Sequence, residues 1–294
     1  MARLVHIAAL QLPPPTGSDA GEVRTSNIAN ALAFVDQAGE RRCNIACLPE
    51  MFTSYGLALD LLGNGLVDTV PGEVTDILAR KAREHGMGII APLAAIVDGR
   101  LRNTAVVIDR SGTIVGQYFK AHLTQPELDA GFVPGEELSV FDLDWGRIGI
   151  MTCFDNTFPE VARVLAVQGA EVIFFPHVQS GYGEVGWVAQ LASRAIDNCV
   201  YIVPVAFGMG PCDPWMPGTI MGRSGVIGQD GVQLVSAGRL AGVASTVVDL
   251  DQRRWVRCFG VIGEADYREQ AFARRRPHLY GPLVVGLEWL GREA

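Results

Sequence analysis

Residues 147–176 read RIGIMTCFDNTFPEVARVLAVQGAEVIFFP, and this stretch decides the fold. RIGIMT at 147–152 and EVIFFP at 171–176 are apolar runs of strand length. Between them, 160–168 reads as a helix. Pro159 suits its first turn, where a missing N–H costs nothing. Thr157-Phe158-Pro159-Glu160 has the T-x-x-E form in which Thr157 caps the helix and Glu160 reciprocates. Cys153 stands at the bend between the first strand and the helix.

Working outward, strands and helices keep alternating. Residues 3–11, 44–48, 87–97, 101–109 and 113–119 read as strands on the N-terminal side. Helices are predicted at 22–38, with Ile28, Ala31, Leu32 and Val35 on one face, and at 73–85, with Val74, Ile77, Leu78 and Ala82. On the C-terminal side, 200–206, 219–228, 232–236 and 243–249 read as strands. A helix is predicted at 185–197, with Val188, Leu191, Ala192 and Ala195 on one face. Asp98-Gly99, Ser111-Gly112 and Asp230-Gly231 are hairpin turns, so part of the sheet is antiparallel. Two halves of similar order predict an α/β fold in which two mixed sheets pack face to face with helices outside, a four-layer α-β-β-α sandwich. No Ser/Gly linker or charge run divides the chain, which predicts one domain over 1–294 with a C-terminal tail from about 265 to 294.

Composition agrees and excludes several classes. Of 294 residues, 49% are hydrophobic and 19% charged, enough apolar material for a sizeable core and against wholesale disorder. A net charge of −8 argues against nucleic acid as a partner, since phosphate binding calls for a basic face. No run of apolar residues reaches transmembrane length, so no membrane role is expected. MARLVHIAALQLPPP lacks the pattern of a secretory leader, and the six cysteines are sparse; both predict reduced thiols in a cytoplasm. Cys43 and Cys47 have no second pair at zinc-site spacing, so no metal is expected.

Three residues at strand ends carry candidate chemistry. A thiol at a strand-to-helix bend, as at Cys153, is expected to be exposed near a positive helix end, which favours thiolate. Glu50, after the apolar strand in LPEMF, is partly desolvated and suits a general base. Lys120 ends the strand TIVGQYF and can neutralise a developing oxyanion. Singly, each has a plainer explanation: a structural thiol, a surface ion pair, a solvated lysine. Together they form a self-sufficient set for acyl transfer.

With these motifs in hand, the chain resembles the carbon–nitrogen hydrolase (nitrilase) superfamily, on its amidase and N-carbamoyl amidohydrolase-like branch. The matching stretches are LPEMF at 48–52, YFKAHL at 118–123, GIMTCFDNTFPEVAR at 149–163, GAEVIFFPH at 169–177 and RAIDNCVYIVP at 194–204. The resemblance runs from about residue 4 to 250. It implies Glu50 as general base, Lys120 as stabiliser of the tetrahedral intermediate and Cys153 as nucleophile. It also implies a share of the oxyanion site for the Phe154 backbone N–H. Glu127 matches the family's second glutamate, while Glu136 and Glu137 read as turn residues. The family fold is the same αββα sandwich, and its dimers pair helices that correspond to 160–168 and 185–197. The expected partners are a small-molecule amide or carbamoyl substrate and a second copy of the chain, with no cofactor. A nitrile substrate, or a catalytically silent binding protein on the same fold, are the rival readings.

Specificity is expected from loops at 52–56, 124–132 and 177–188, under a rim at 209–218. Phe52, Tyr182, Trp187 and Trp215 are candidates for an apolar wall, and His177 for a substrate contact. Arg194 or Arg223 would be needed to pair with a substrate carboxylate.

Overall fold

The computed structural model describes residues 2–62, 66–179, 181, 183–252, 255–257 and 264–284. The chain divides into two compact units, Met1–Gln252 and Arg253–Ala294.

In the first unit the order is β1 (Leu4–Gln11), α1 (Ala20–Glu40), β2 (Ile45–Cys47), α2 (Leu59–Leu62), β3 (Asp68–Thr69), α3 (Glu73–His85), β4 (Gly88–Val97), β5 (Arg100–Ile108), β6 (Ile114–Phe119) and α4 (Gln125–Asp129). Then come β7 (Val140–Leu143), β8 (Gly146–Ile150), a 3₁₀ turn (Cys153–Thr157), α5 (Pro159–Val167), β9 (Val172–Pro176), α6 (Glu184–Asn198), β10 (Tyr201–Val205), β11 (Gly225–Ile227), β12 (Gln233–Ser236) and β13 (Gly242–Asp249). One sheet runs β13-β1-β2-β4-β5-β6, with β3 paired to β4; the other runs β12-β11-β10-β9-β8-β7. Both are mixed: β1, β2 and β4 are parallel neighbours, as are β8, β9 and β10, while the hairpins at their margins are antiparallel.

The pleat sorts side chains between the layers. Val5, Ile7, Ala9, Val107 and Tyr118 of the first sheet share one buried cluster with Ile148, Ile150, Phe174, Val203 and Val205 of the second. The two sheets therefore face each other. The opposite face of the first sheet, with Ala8, Leu10 and Ile89, packs on Ala31 and Val35 of α1 and on Leu78 and Ala82 of α3. Gly149 of β8 lets Leu165 of α5 approach so closely that a Cβ would sit 3.1 Å from it, which fixes α5 on the second sheet. The predicted four-layer sandwich is the fold observed. The Asp98-Gly99 hairpin has both central residues in the left-handed region, at φ 50° and 70°, as a tight two-residue turn demands.

Two local expectations need correction. The buried stripe of α6 runs through Trp187, Leu191, Ala195 and Asn198, and Val188 is exposed. Trp187 brings a larger apolar surface and places its indole N–H 2.9 Å from Gln179 Oε1, so the helix turns toward it. The T-x-x-E box at 157–160 does not form: Thr157 lies inside the 3₁₀ turn, and Phe158 occupies the cap of α5 without a side-chain bond. Pro159 does open the helix.

In the second unit, β14 (Trp255–Arg257) pairs antiparallel with β15 (Glu264–Asp266), followed by α7 (Tyr267–Ala273), which Asp266 caps through the Arg268 N–H at 2.9 Å. The last residues of the expected tail, 285–294, lie outside the described residues. Among the described residues no helix is long and apolar enough to cross a membrane.

Candidate active site

Glu50, Lys120 and Cys153 each follow the end of a strand, and the reason is local. The chain after β2 is held to β4 by the Leu48 N–H on the Ile90 carbonyl at 3.1 Å, and Met51 then turns it at φ 46°. Glu50 points inward between these anchors, fully buried. Lys120 follows β6, with its N–H on the Asn103 carbonyl and its carbonyl taking the Gly135 N–H, both at 2.9 Å. Cys153 follows β8 in a left-handed conformation, φ 47°, which a residue with a Cβ adopts only under constraint.

These residues meet. Lys120 Nζ lies 2.9 Å from Glu50 Oε1 and 2.8 Å from Glu127 Oε2. Asn103 Nδ2 donates to the same two carboxylates, at 2.8 Å each. The Val178 N–H donates to Glu50 Oε2 at 3.0 Å. Cys153 opens onto the same cavity as Glu50 and Val178. Glu127 is fixed from its own helix: both the Thr124 N–H and hydroxyl reach its Oε2 at 2.8 Å, the back-bonded arrangement of a helix start. Glu50, Lys120, Glu127 and Cys153 line one cavity of about 310 Å³. Met51, Tyr55, Leu57, Leu59 and Val178 give it an apolar wall, and Ser54 and Thr124 its remaining polar edge.

The electrostatics overturn one expectation. Cys153 is only 8% exposed, not open on a bend. Burial, with the Glu50 charge behind it, pushes its thiol well above the ordinary range despite the Lys120 charge. Lys120 suffers the same desolvation, but attraction to Glu50, Cys153 and Glu127 outweighs it and holds the ammonium above its usual range. For Glu127 burial works against the charge, and Lys120 reverses the balance and lowers its pKa.

Other predicted residues fall elsewhere. Phe52 is buried in the core between α1, α3 and the first sheet, away from the cavity lining. His177 is fully buried, stacked on Phe175 with centroids 4.8 Å apart, and burial pushes its pKa down to about 3. Phe154 is half-buried and meets the Phe158 ring edge to face. Arg194 donates to the Asn156 carbonyl at 2.9 Å, and Arg223 pairs with Glu184, so both serve the scaffold. Trp187 is buried beside His177, Trp215 stacks under Arg239, and Tyr182 lies outside the described residues.

Sequence reasoning passed over Asn103, the shared donor between the two glutamates. Its signal was a polar side chain inside the apolar run 101–109. It also passed over Asp155, which ties the Cys153 turn to the Lys120 segment.

The family model for carbon–nitrogen hydrolases matches residues 6–257. The chain belongs to the carbon–nitrogen hydrolase family. As a carbon–nitrogen hydrolase it is 28% identical over 269 residues to the human omega-amidase NIT2, an alignment spanning 88% of this chain and 92% of that one. Among solved structures, an amidase from Nesterenkonia sp. superposes with a TM-score of 0.73 at 21% identity, covering 95% of this chain and 96% of its own. Yeast Nit3, of the nitrilase superfamily, superposes at 0.70 with 22% identity, over 84% and 90% of the two chains. These likenesses establish the fold of this carbon–nitrogen hydrolase as that of the nitrilase superfamily. A variant of the Nesterenkonia amidase, at 0.74 and 22% over 95% and 97%, carries the acetamide moiety of fluoroacetamide on its active-site cysteine.

Proposed function

We propose that this carbon–nitrogen hydrolase cleaves a small linear amide through a thioester on Cys153, releasing ammonia and the acid. The observation that carries this is the shared cavity of Cys153, Glu50, Lys120 and Glu127. The Glu50 carboxylate takes the thiol proton as sulfur bonds to the amide carbon and the carbonyl electron pair moves onto oxygen. The Lys120 ammonium and the Phe154 N–H, in the first turn of the 3₁₀ helix that Cys153 opens, hold that oxygen. The C–N bond then breaks, and the proton on Glu50 leaves with the amine as ammonia. Water attacks the thioester, Glu50 takes its proton, and the C–S bond breaks to free the acid and restore the thiol. Glu127 keeps Lys120 charged and aimed. The human omega-amidase and the Nesterenkonia amidase, with its cysteine adduct, favour an amide over a nitrile.

We also infer a homodimer through α5 and α6, where Val164, Val167, Val185 and Val188 are exposed, and a reducing compartment such as the cytoplasm. Among the described residues Cys43, Cys47, Cys153 and Cys212 form no disulfide, which supports the latter.

The test is an ammonia-release screen over linear amides, N-carbamoyl compounds and nitriles, with intact-mass detection of an acyl adduct. Amide turnover, an adduct on Cys153 and a loss of at least about 1,000-fold in Cys153→Ala are expected. Turnover of nitriles alone, or an active Cys153→Ala protein, would refute the reading.

A further inference from the structure

Asp155 is fully buried two residues beyond the nucleophile, and its carboxylate is saturated from both sides. Oδ2 accepts the Thr152 N–H at 2.8 Å and the Tyr118 hydroxyl at 2.6 Å. Oδ1 accepts the His122 N–H at 3.0 Å and the His122 ring nitrogen Nδ1 at 2.8 Å. The Tyr118 oxygen in turn takes the Ala121 N–H at 3.3 Å, and the His122 ring stacks on Phe158 with centroids 3.9 Å apart. Tyr118 and His122 flank Lys120 on either side along the chain. Thr152 and Asp155 bracket Cys153. One carboxylate therefore fastens the segment that carries the ammonium to the turn that carries the sulfur, and those two segments come from different sheets.

We propose that Asp155 is a positioning residue that sets the placement of Lys120 against Cys153, and thereby the stabilisation of the tetrahedral oxyanion. This rests on the amide-hydrolase reading above. It predicts a loss in the transition state more than in the ground state, because the charge that Lys120 must meet develops only there. The geometry also makes Asp155→Asn informative. Each carboxylate oxygen faces one backbone N–H, from Thr152 or from His122. Whichever way an amide is turned, its NH₂ meets a main-chain donor that cannot rotate away.

The experiment is steady-state kinetics on full-length wild type, Asp155→Asn and Tyr118→Phe, with kcat counted per Cys153 that iodoacetamide can alkylate. Expected is a fall in kcat of about 100-fold for Asp155→Asn and about tenfold for Tyr118→Phe, with KM within about threefold of wild type. Alkylation of Cys153 at neutral pH is expected to slow in Asp155→Asn, because the nearby cation is no longer held where it favours thiolate. If Asp155→Asn does not fold, Tyr118→Phe carries the test, since it removes one bond and keeps the ring. A kcat per alkylatable site within threefold of wild type in the folded variants would overturn the proposal, leaving Asp155 a purely structural group. A wild-type protein that hydrolyses no amide would refute the preceding reading instead. The alkylation arm then decides this one: slower labelling supports it and unchanged labelling ends it.

Discussion

The side-chain amide of Asn103 donates to Glu50 Oε1 at 2.8 Å, with both groups sealed from water. The same nitrogen reaches Glu127 Oε1 at 2.8 Å, so its two hydrogens are both spent on carboxylates. Two buried like charges are held apart by one ammonium and one amide. Asn103→Leu is expected to destabilise the protein by about 3 kcal/mol, since hydrogen bonds to charged groups are worth about 1.5–3 kcal/mol each. Asn103→Asp places a third carboxylate around one cation and is expected to be worse in both melting temperature and kcat/KM. Thermal melts and initial rates on the two variants check the order; an Asn103→Asp protein as stable as Asn103→Leu would contradict it.

Lys120 and Glu127 set the pH limits of stability from opposite ends. Glu127 titrates below its ordinary 4.5, so its contribution is complete above about that pH and is lost as the medium acidifies through the depressed folded value. Lys120 titrates above its ordinary 10.5, so its contribution is complete below that pH and is lost only as alkali passes the raised folded value. Urea midpoints are therefore expected to form a plateau across neutrality. Glu127→Gln should shallow the acid side. Lys120→Met leaves two carboxylates without their cation and should cost about 3–5 kcal/mol at pH 7. A Lys120→Met protein as stable as wild type would refute the account of the buried triad.

His177 supplies a separate acid liability. Burial lowers its pKa from 6.5 to about 3, and among the described residues its Nε2 has no partner. The unfolded chain binds a proton there that the folded one refuses. Stability is therefore lost as pH falls from about 6.5 toward 3. His177→Phe keeps a ring against Phe175 and removes the titration. Between pH 7 and 4.5 its stability should fall less than that of wild type. Equal losses in denaturant melts at the two pH values would show that the imidazole contributes nothing to acid sensitivity.

Much of this was legible in the chain because long apolar runs declare themselves. Strands β1, β4 and β5 and helices α1 and α3 were read within a few residues of their bounds, and the two sheets followed from their order. Short elements were not: α2, β3 and α4 carry too few residues for any period to register. β7 escaped because only Phe141 of its residues is buried. The T-x-x-E signal occurs twice. It failed at 157–160, where a 3₁₀ turn took Thr157, and went unread at 124–127, where Glu127 bonds back to Thr124. Glu50, Lys120, Glu127 and Cys153 were found from strand ends and motifs, whereas the burial of Cys153 depends on neighbours far along the chain, such as Val178. Asn103 and Asp155 were visible as polar residues in apolar company, but their partners were not.

Glu50 and Lys120 extend from strands of one sheet, and Cys153 from a strand of the other. The chemistry therefore straddles a seam between two slabs whose internal ladders do not depend on each other. A slip of one slab past the other by less than the width of a methyl group would part sulfur from base while every backbone ladder stayed closed. Such a molecule would keep the spectroscopic signature of a native protein and yet be inert, so catalytic output gauges the fit between the slabs more finely than any probe of secondary structure.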